Sequence, residues 1–329
     1  MQVPKKSEVN TLIVFGPVPS RRLGHSLGIN NIPPKICSYS CAYCQLGRTN
    51  KMQIERRAFY EPADILHVVQ DKVEEVRNAG GRIDYLTFVP DGEPTLDINL
   101  EQEIDLMKST NIPIAVITNS SLIWQQEVRK ALMGADCVSL KIDTVEEEIW
   151  NRINRPHGGL QLTSILEGAL EFARSFQGRL LTETMMLKGI NDADRNFSLV
   201  ADFLAQIQPA MAYLSIPTRP PAEKWAQPPD GDAINRTYQI LKEKVKNVEY
   251  LTGYEGNDFA STGNVEENIL SITAVHPMRD DALNIFLKQA GADWTVIRRM
   301  VMHDQLTETN YKEHTFYLRK FAEPQREEI

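Results

Sequence analysis

Cysteine is scarce in this chain, with 4 among 329 residues. That count excludes the disulfide framework of a small secreted fold and makes the reducing cytoplasm the expected compartment. Histidine is nearly as sparse, with 6 residues; His25, His67 and His157 are scattered rather than grouped as a metal tract. Positive charge is in deficit, 36 Lys and Arg against 44 Asp and Glu, a formal net charge of −8. The molecule as a whole is therefore no electrostatic magnet for nucleic acid, and such a partner would need a local basic patch. Long apolar runs are missing too. None approaches the ~20 residues that cross a bilayer, and the opening Met1-Gln-Val-Pro-Lys-Lys-Ser7 lacks the apolar core of a secretory signal. What remains is an ordinary globular balance, 42% apolar and 24% charged, in a chain long enough for about two domains.

The few cysteines are not spread evenly. Cys37, Cys41 and Cys44 fall in one stretch, Lys35-Ile-Cys-Ser-Tyr-Ser-Cys-Ala-Tyr-Cys-Gln45. Soft thiolates in a tight loop suit an iron–sulfur cluster or zinc. Both normally take four protein ligands, and three leave one metal position open, as catalytic sites do. A zinc site would need a fourth ligand nearby, and His25 is the near candidate. Cys137, alone in a strand-like run, reads as a small buried hydrophobe.

Around this loop the pattern alternates. Residues 12–18 and 23–29 read as short strands flanking Arg21 and Arg22, a pair that suits either a solvated surface or an anionic ligand. Pro33-Pro34 then delivers the chain to the cysteines. Apolar spacing predicts a helix over 61–79, closed by Gly80-Gly81, and a buried strand over 83–90. Helices over 100–109, 125–133, 162–176, 197–207 and 232–245 then lead to strands over 112–117, 137–142, 180–187, 212–216 and 248–251. Strands alternating with helices imply a parallel sheet. Six such units suit an α/β fold, a partial (β/α)6 barrel of TIM type over 1–258, with its chemistry at the C-terminal strand ends.

Those ends are polar. They carry Asp91-Gly-Glu-Pro-Thr95, Thr118-Asn-Ser-Ser121, Thr184 with Lys188 beyond it, and Thr218-Arg-Pro-Pro221. Ser139, Lys141 and Asp143 share one face of their strand. Gly92 lets backbone approach a ligand, and Glu93 beside it is an acceptor for an ammonium group. Any one of these alone reads as a cap or turn; it is their convergence at one rim that points to a ligand.

Cys37-x3-Cys41-x2-Cys44, with Tyr43 before the last cysteine and Gly92-Glu93 downstream, resembles the radical S-adenosylmethionine superfamily over the barrel. Within it, Gly16-Pro-Val-Pro-Ser-Arg-Arg-Leu-Gly24, Asp91-Gly-Glu-Pro-Thr95, Asn154-Arg-Pro-His157 and Thr218-Arg-Pro-Pro221 look like iron–sulfur oxidoreductases related to the wyosine-base (4-demethylwyosine) synthases. The resemblance implies a 4Fe–4S cluster on the three thiolates and S-adenosylmethionine chelated at the open iron. It also implies reductive cleavage to a 5′-deoxyadenosyl radical and a low-potential electron donor of flavodoxin or ferredoxin type. Gly92 and Glu93 would hold the methionyl ammonium, and Asn119, Ser139, Lys141 and Asp143 would contact ribose or carboxylate. Tyr43 would lie near the adenine, with Thr184 and Lys188 on the fifth strand. Arg21, Arg22, Arg155, His157 and Arg219 are the further candidates for substrate contact. Those synthases carry a second cluster on upstream cysteines; here none precedes Cys37, so one cluster is expected. They also hold pyruvate on a lysine, a role for which Lys35 and Lys141 are the candidates.

Beyond the barrel, 252–267 is rich in Gly and Asn, and 259–267 reads as the linker proper. Residues 268–329 are expected to form a small winged-helix domain: an apolar run at 268–273, helices over 282–289 and 294–302, and a hairpin from 306–309 and 314–319. Such a domain could dock RNA or a protein. The expected function is a radical S-adenosylmethionine enzyme acting on an RNA base or a small metabolite. An activase of a protein partner, or a redox-sensing iron–sulfur regulator with a winged helix, are the rivals.

Overall fold

The computed structural model describes residues 13–251, 264–274 and 276–320. Its centre is an eight-stranded open sheet in the order β1-β2-β5-β6-β7-β8-β9-β10. The strands are β1 (Val14–Ser20), β2 (Gly24–Ile29), β5 (Tyr85–Phe88), β6 (Ile114–Thr118), β7 (Cys137–Lys141), β8 (Arg179–Met185), β9 (Met211–Ser215) and β10 (Val248–Leu251). From β2 onward every neighbour is parallel. β1 alone runs antiparallel, against β2. The curled sheet is thus a half-barrel with an antiparallel edge.

Each crossover is helical: α1 (Pro62–Asn78), α2 (Leu100–Met107), α3 (Gln126–Leu132), α4 (Glu147–Ile153), α5 (Leu162–Ser175), α6 (Asp194–Ile207) and α7 (Gly231–Lys244). The central strands are buried on both faces, so they read as unbroken apolar runs; Ile114-Ala-Val-Ile-Thr118 is the plainest. The helices bury one stripe. On α5, Leu162, Ile165, Ala169 and Phe172 face the sheet, and Phe172 stacks on Phe176 with centroids 4.8 Å apart. Each large side chain of this kind contributes roughly 1.5–3 kcal/mol by leaving water.

Two features position the site. The cysteine loop leaves the C-terminal end of β2, where Ile36–Cys37 (β3) pairs in parallel with Lys51–Met52 (β4). At the opposite end, the β1–β2 turn tucks Leu23 into an apolar floor with Ala115, Cys137, Leu181, Tyr213 and Leu251. Cys137 is 1% exposed there, a small hydrophobe of the barrel floor.

The C-terminal segment holds α8 (Val265–Thr273), β11 (Met278–Arg279), α9 (Asp280–Gln289), α10 (Trp294–Met302), β12 (Leu306–Tyr311) and β13 (His314–Arg319), the strands ordered β11-β13-β12. Residues 265–267, expected in the linker, form the first turn of α8. The Asn264 side chain caps it by accepting from the Glu267 N–H at 3.3 Å. The remainder of 252–267, apart from Asn264, lies outside the described residues. Ile269, Ile272, Leu283, Phe286, Ile297 and Met300 share one core with Phe15 and Val18 of β1. The barrel edge and this segment are therefore packed as one body of apolar side chains.

Candidate functional site

The C-terminal strand ends and the cysteine loop enclose a cavity of about 360 Å³, lined by all three clustered cysteines, Tyr43, Lys35, Asp91, Gly92, Arg22, Lys141, Glu183, Arg219 and His276. Burial pushes the three thiols up, Cys41 to about 12. For Cys44 the Lys35 ammonium pulls the other way. Thiolates here therefore call for a cation held against them.

The donor set fits an iron–sulfur group. The Asn119 Nδ2 donates to Cys37 Sγ at 3.4 Å, and the Asn154 Nδ2 to Cys41 Sγ at 3.6 Å. Such N–H···S contacts are how surrounding residues orient and tune sulfur ligands. His25, the candidate fourth ligand for zinc, sits at the other end of β2 and pairs with Asp84 at 3.1 Å. Among the described residues no three or more His, Cys, Asp or Glu side chains form a single-ion site.

Backbone contacts zip the cysteine loop to the end of β5. Lys35 N–H donates to the Asp91 carbonyl at 2.7 Å, and Glu93 N–H to the Ile36 carbonyl at 3.2 Å. A Cβ on Gly92 would collide with that same Ile36 carbonyl, so only glycine permits the approach. Lys35 lies at φ 65° and brings its ammonium within 3.5 Å of Asp91 Oδ1. Burial pushes Asp91 up to about 6 against the pull of Lys35.

Glu93 does not line the cavity. It is fully buried and accepts from the Thr95 N–H at 3.1 Å, the Thr95 hydroxyl at 2.6 Å, the Thr118 hydroxyl at 2.6 Å and the Asn119 N–H at 2.7 Å. It braces the ends of β5 and β6. Glu183 does line the cavity, as does Asp91, and accepts from Lys141 Nζ at 2.8 Å, from Ser215 Oγ at 3.0 Å and from the Arg22 guanidinium. Burial opposes its charge, but the two cations hold it well below the usual carboxylate range.

Asp143 organises a third group. It accepts from the Tyr43 hydroxyl at 2.5 Å, from Asn154 at 2.7 Å and from the Met185 N–H at 2.8 Å. Lys141 Nζ lies 4.9 Å from the centroid of the Tyr43 ring. Ser139 is buried, and the Thr184 hydroxyl donates to the Ile142 carbonyl at 2.7 Å. Neither lines the cavity.

The arginine pair divides. Arg22 reaches up the barrel interior to Glu183, while Arg21 spans the open seam to the Tyr250 carbonyl at 3.4 Å. Lys188 is exposed, His157 accepts from the Gly159 N–H at 3.1 Å, and Arg155 pairs with Glu223 at 2.7 Å. All three lie off the cavity wall. Arg219 is on it, donating to Gln45 Oε1 at 2.7 Å and lying 3.0 Å from His276 Nε2.

Sequence reasoning did not select Asp91, Gln45, Asn154 or His276 as site residues. Asp91 and Asn154 stand inside the quoted phrases, so a signal existed for them. His276 comes from the C-terminal segment and nothing in its surroundings announces it.

A half-barrel with three thiols from one loop at its C-terminal rim defines a class. The chain belongs to the radical SAM superfamily, which residues 31–199 match, and with that membership come the superfamily's cofactors, a 4Fe–4S cluster and S-adenosylmethionine. It is 47% identical over 309 residues to UPF0026 protein MJ1312 of Methanocaldococcus jannaschii, covering 93% of this chain and 96% of that one. A UPF0026 protein of Helicobacter pylori (strain J99) is 36% identical over 218 residues, 65% of this chain and 69% of its own. Among solved structures, the fold is similar to TYW1 with a lysine–pyruvate adduct bound, at TM-score 0.52 and 17% identity over 67% of this chain and 74% of that one. A radical SAM methyltransferase from Sphaerobacter thermophilus gives TM-score 0.51 and 16% identity over 69% and 66%. At such identities the likeness is one of fold.

Proposed function

We propose that this enzyme carries one 4Fe–4S cluster on Cys37, Cys41 and Cys44 and acts, at the cavity these thiols line, on an RNA base or a small metabolite. The cluster and S-adenosylmethionine, when bound, supply reductive cleavage of the sulfonium to methionine and a 5′-deoxyadenosyl radical. The chain's own residues do the rest. The Asp91–Gly92 backbone and Lys35 hold the cysteine loop against the strand end. Asp143 fixes Tyr43, and the Arg22–Glu183–Lys141 group presents positive charge to the cavity wall. The single observation that carries the reading is the convergence of all three thiols on a cavity whose far wall is polar and paired.

A cavity of about 360 Å³ lies near the small end of ligand sites. The cluster and S-adenosylmethionine would share that space with the substrate. We read α9, α10 and the three-stranded sheet as a winged helix that closes the barrel seam. The Tyr311 hydroxyl donates to the Pro217 carbonyl at 3.3 Å and His276 meets Arg219. Arg299, on the helix that would enter a DNA groove, is ion-paired with Glu266.

The test is anaerobic reconstitution followed by dithionite and S-adenosylmethionine. 5′-Deoxyadenosine is expected from the wild type and not from Cys41→Ala. Equal yields from the two would defeat the reading.

A further inference from the structure

We propose that the surface just outside the cysteine loop is the docking face for an acidic one-electron carrier protein, centred on Trp225 and ringed by Arg48, Arg152, Arg155 and Lys224. The inference rests on the reductive chemistry proposed above, which requires an electron to reach the thiols from outside.

The loop's outer side is one layer thick at this point. Ala42, between Cys41 and Cys44, is fully buried. Its N–H donates to the Ile153 carbonyl at 2.8 Å, and its carbonyl accepts from the Glu223 N–H at 2.9 Å. Ala42, Ile153, Leu187 and Ala226 form a small apolar cluster. On the outside of that cluster stands Trp225, a large aromatic left 39% exposed. The Arg152 and Arg155 guanidiniums lie 6.0 and 5.7 Å from its ring centroid. Glu223 clamps Arg48 at 2.9 Å and Arg155 at 2.7 Å, and the Arg48 side chain is 71% exposed. Lys224 is exposed beside them. A short hydrogen-bonded route therefore leads from the patch through Ala42 to the cysteines on either side.

The charge argues for the partner's chemistry. Four cations surround one carboxylate here, in a chain whose net charge is −8, so the local field runs against the global one. Opposite patches steer encounter and set orientation, and an exposed aromatic amid arginines is a common anchor of protein interfaces. With Glu148 one helical turn before Arg152 on α4, the patch still carries more cations than carboxylates.

The probe is flavodoxin hydroquinone, an acidic carrier, mixed anaerobically with the reconstituted full chain in a stopped-flow instrument. Oxidation of the flavin and bleaching of the cluster are followed together. Reversing Arg48, Arg152 and Lys224 to Glu is expected to slow this transfer about tenfold or more. It should also abolish the wild type's decline of rate with salt, and leave dithionite-driven 5′-deoxyadenosine formation within about twofold of wild type. The milder triple change to Gln gives an intermediate rate and guards against misfolding of the reversed form. An unchanged carrier rate in the folded variants overturns the proposal. So does equal loss with dithionite, or no transfer to the wild type. If the wild type takes electrons from flavodoxin yet forms no 5′-deoxyadenosine with either reductant, the functional reading falls and the docking face stands.

Discussion

Two glutamates, one at the end of β5 and one on β8, are both buried and are held in opposite ways. Glu93 is surrounded by neutral donors, two hydroxyls and two backbone N–H groups, and burial still raises it above the usual carboxylate range. Glu183 meets two cations and is held far below that range. Neutral dipoles satisfy a carboxylate without cancelling its charge, whereas cations do both. The first arrangement is a brace between strand ends. The second is a charged fitting on a cavity wall, whose two cations outnumber the carboxylate they hold. Glu103, on α2, extends the series. It has one donor, the Asn31 Nδ2 at 3.0 Å, and burial with the neighbouring Asp97 charge pushes it up to about 9.

Breaking the brace should cost most. In Glu93→Gln the amide nitrogen cannot accept, so buried donors of Thr118, Thr95 or Asn119 are orphaned, at about 2–5 kcal/mol of folding stability. Urea unfolding of the two proteins measures it, and an unchanged midpoint would refute the bracing role. Glu183→Gln takes the common partner from Lys141 and Arg22, so it should also lose folding stability. We expect 5′-deoxyadenosine formation to fall by about 10–100-fold through misplacement in the cavity. Activity within twofold of wild type would remove Glu183 from the site.

Glu103→Gln sharpens the pH side of the comparison. The folded pKa of Glu103 lies above its unfolded value, so the native state keeps a proton that the unfolded chain releases. That contribution is complete below the unfolded pKa and is lost as pH rises toward about 9. The Gln variant lacks this loss. Its stability relative to wild type should therefore rise between pH 6 and pH 8, by about 1–3 kcal/mol, and a flat difference would contradict the assignment. The smallest effect is expected from Lys188→Ala, whose side chain is exposed and off the cavity wall. Its rate should stay within about twofold.

Periodicity made most of the barrel legible. α10 begins at Trp294 and ends at Met302, as the apolar spacing and the Asp293 cap predict. α4 escaped notice because its buried residues are only Trp150 and Ile153, too few to show a period. β11 is two residues long and exists only because β13 pairs with it. At the site, local sequence identified the thiols because their crowding is itself a signal. It could not separate Arg21 from Arg22, since two adjacent residues in a turn point apart and tertiary packing alone decides which one enters the barrel. For Glu93 the phrase around it was informative, and the fold uses the side chain to tie the ends of two strands together. A motif identifies residues that are needed, and bracing a rim is one way to be needed. His276 required the C-terminal segment to pack on β1, which no local pattern encodes.

The measurement that bears most directly on the account is iron and acid-labile sulfide per chain after anaerobic reconstitution of the wild type and of four single Cys→Ala variants. The account predicts about four iron and four sulfide per wild-type chain, loss of the cluster in Cys37→Ala, Cys41→Ala and Cys44→Ala, and full retention in Cys137→Ala. Iron retained without the three clustered thiols, or lost with Cys137, would contradict it.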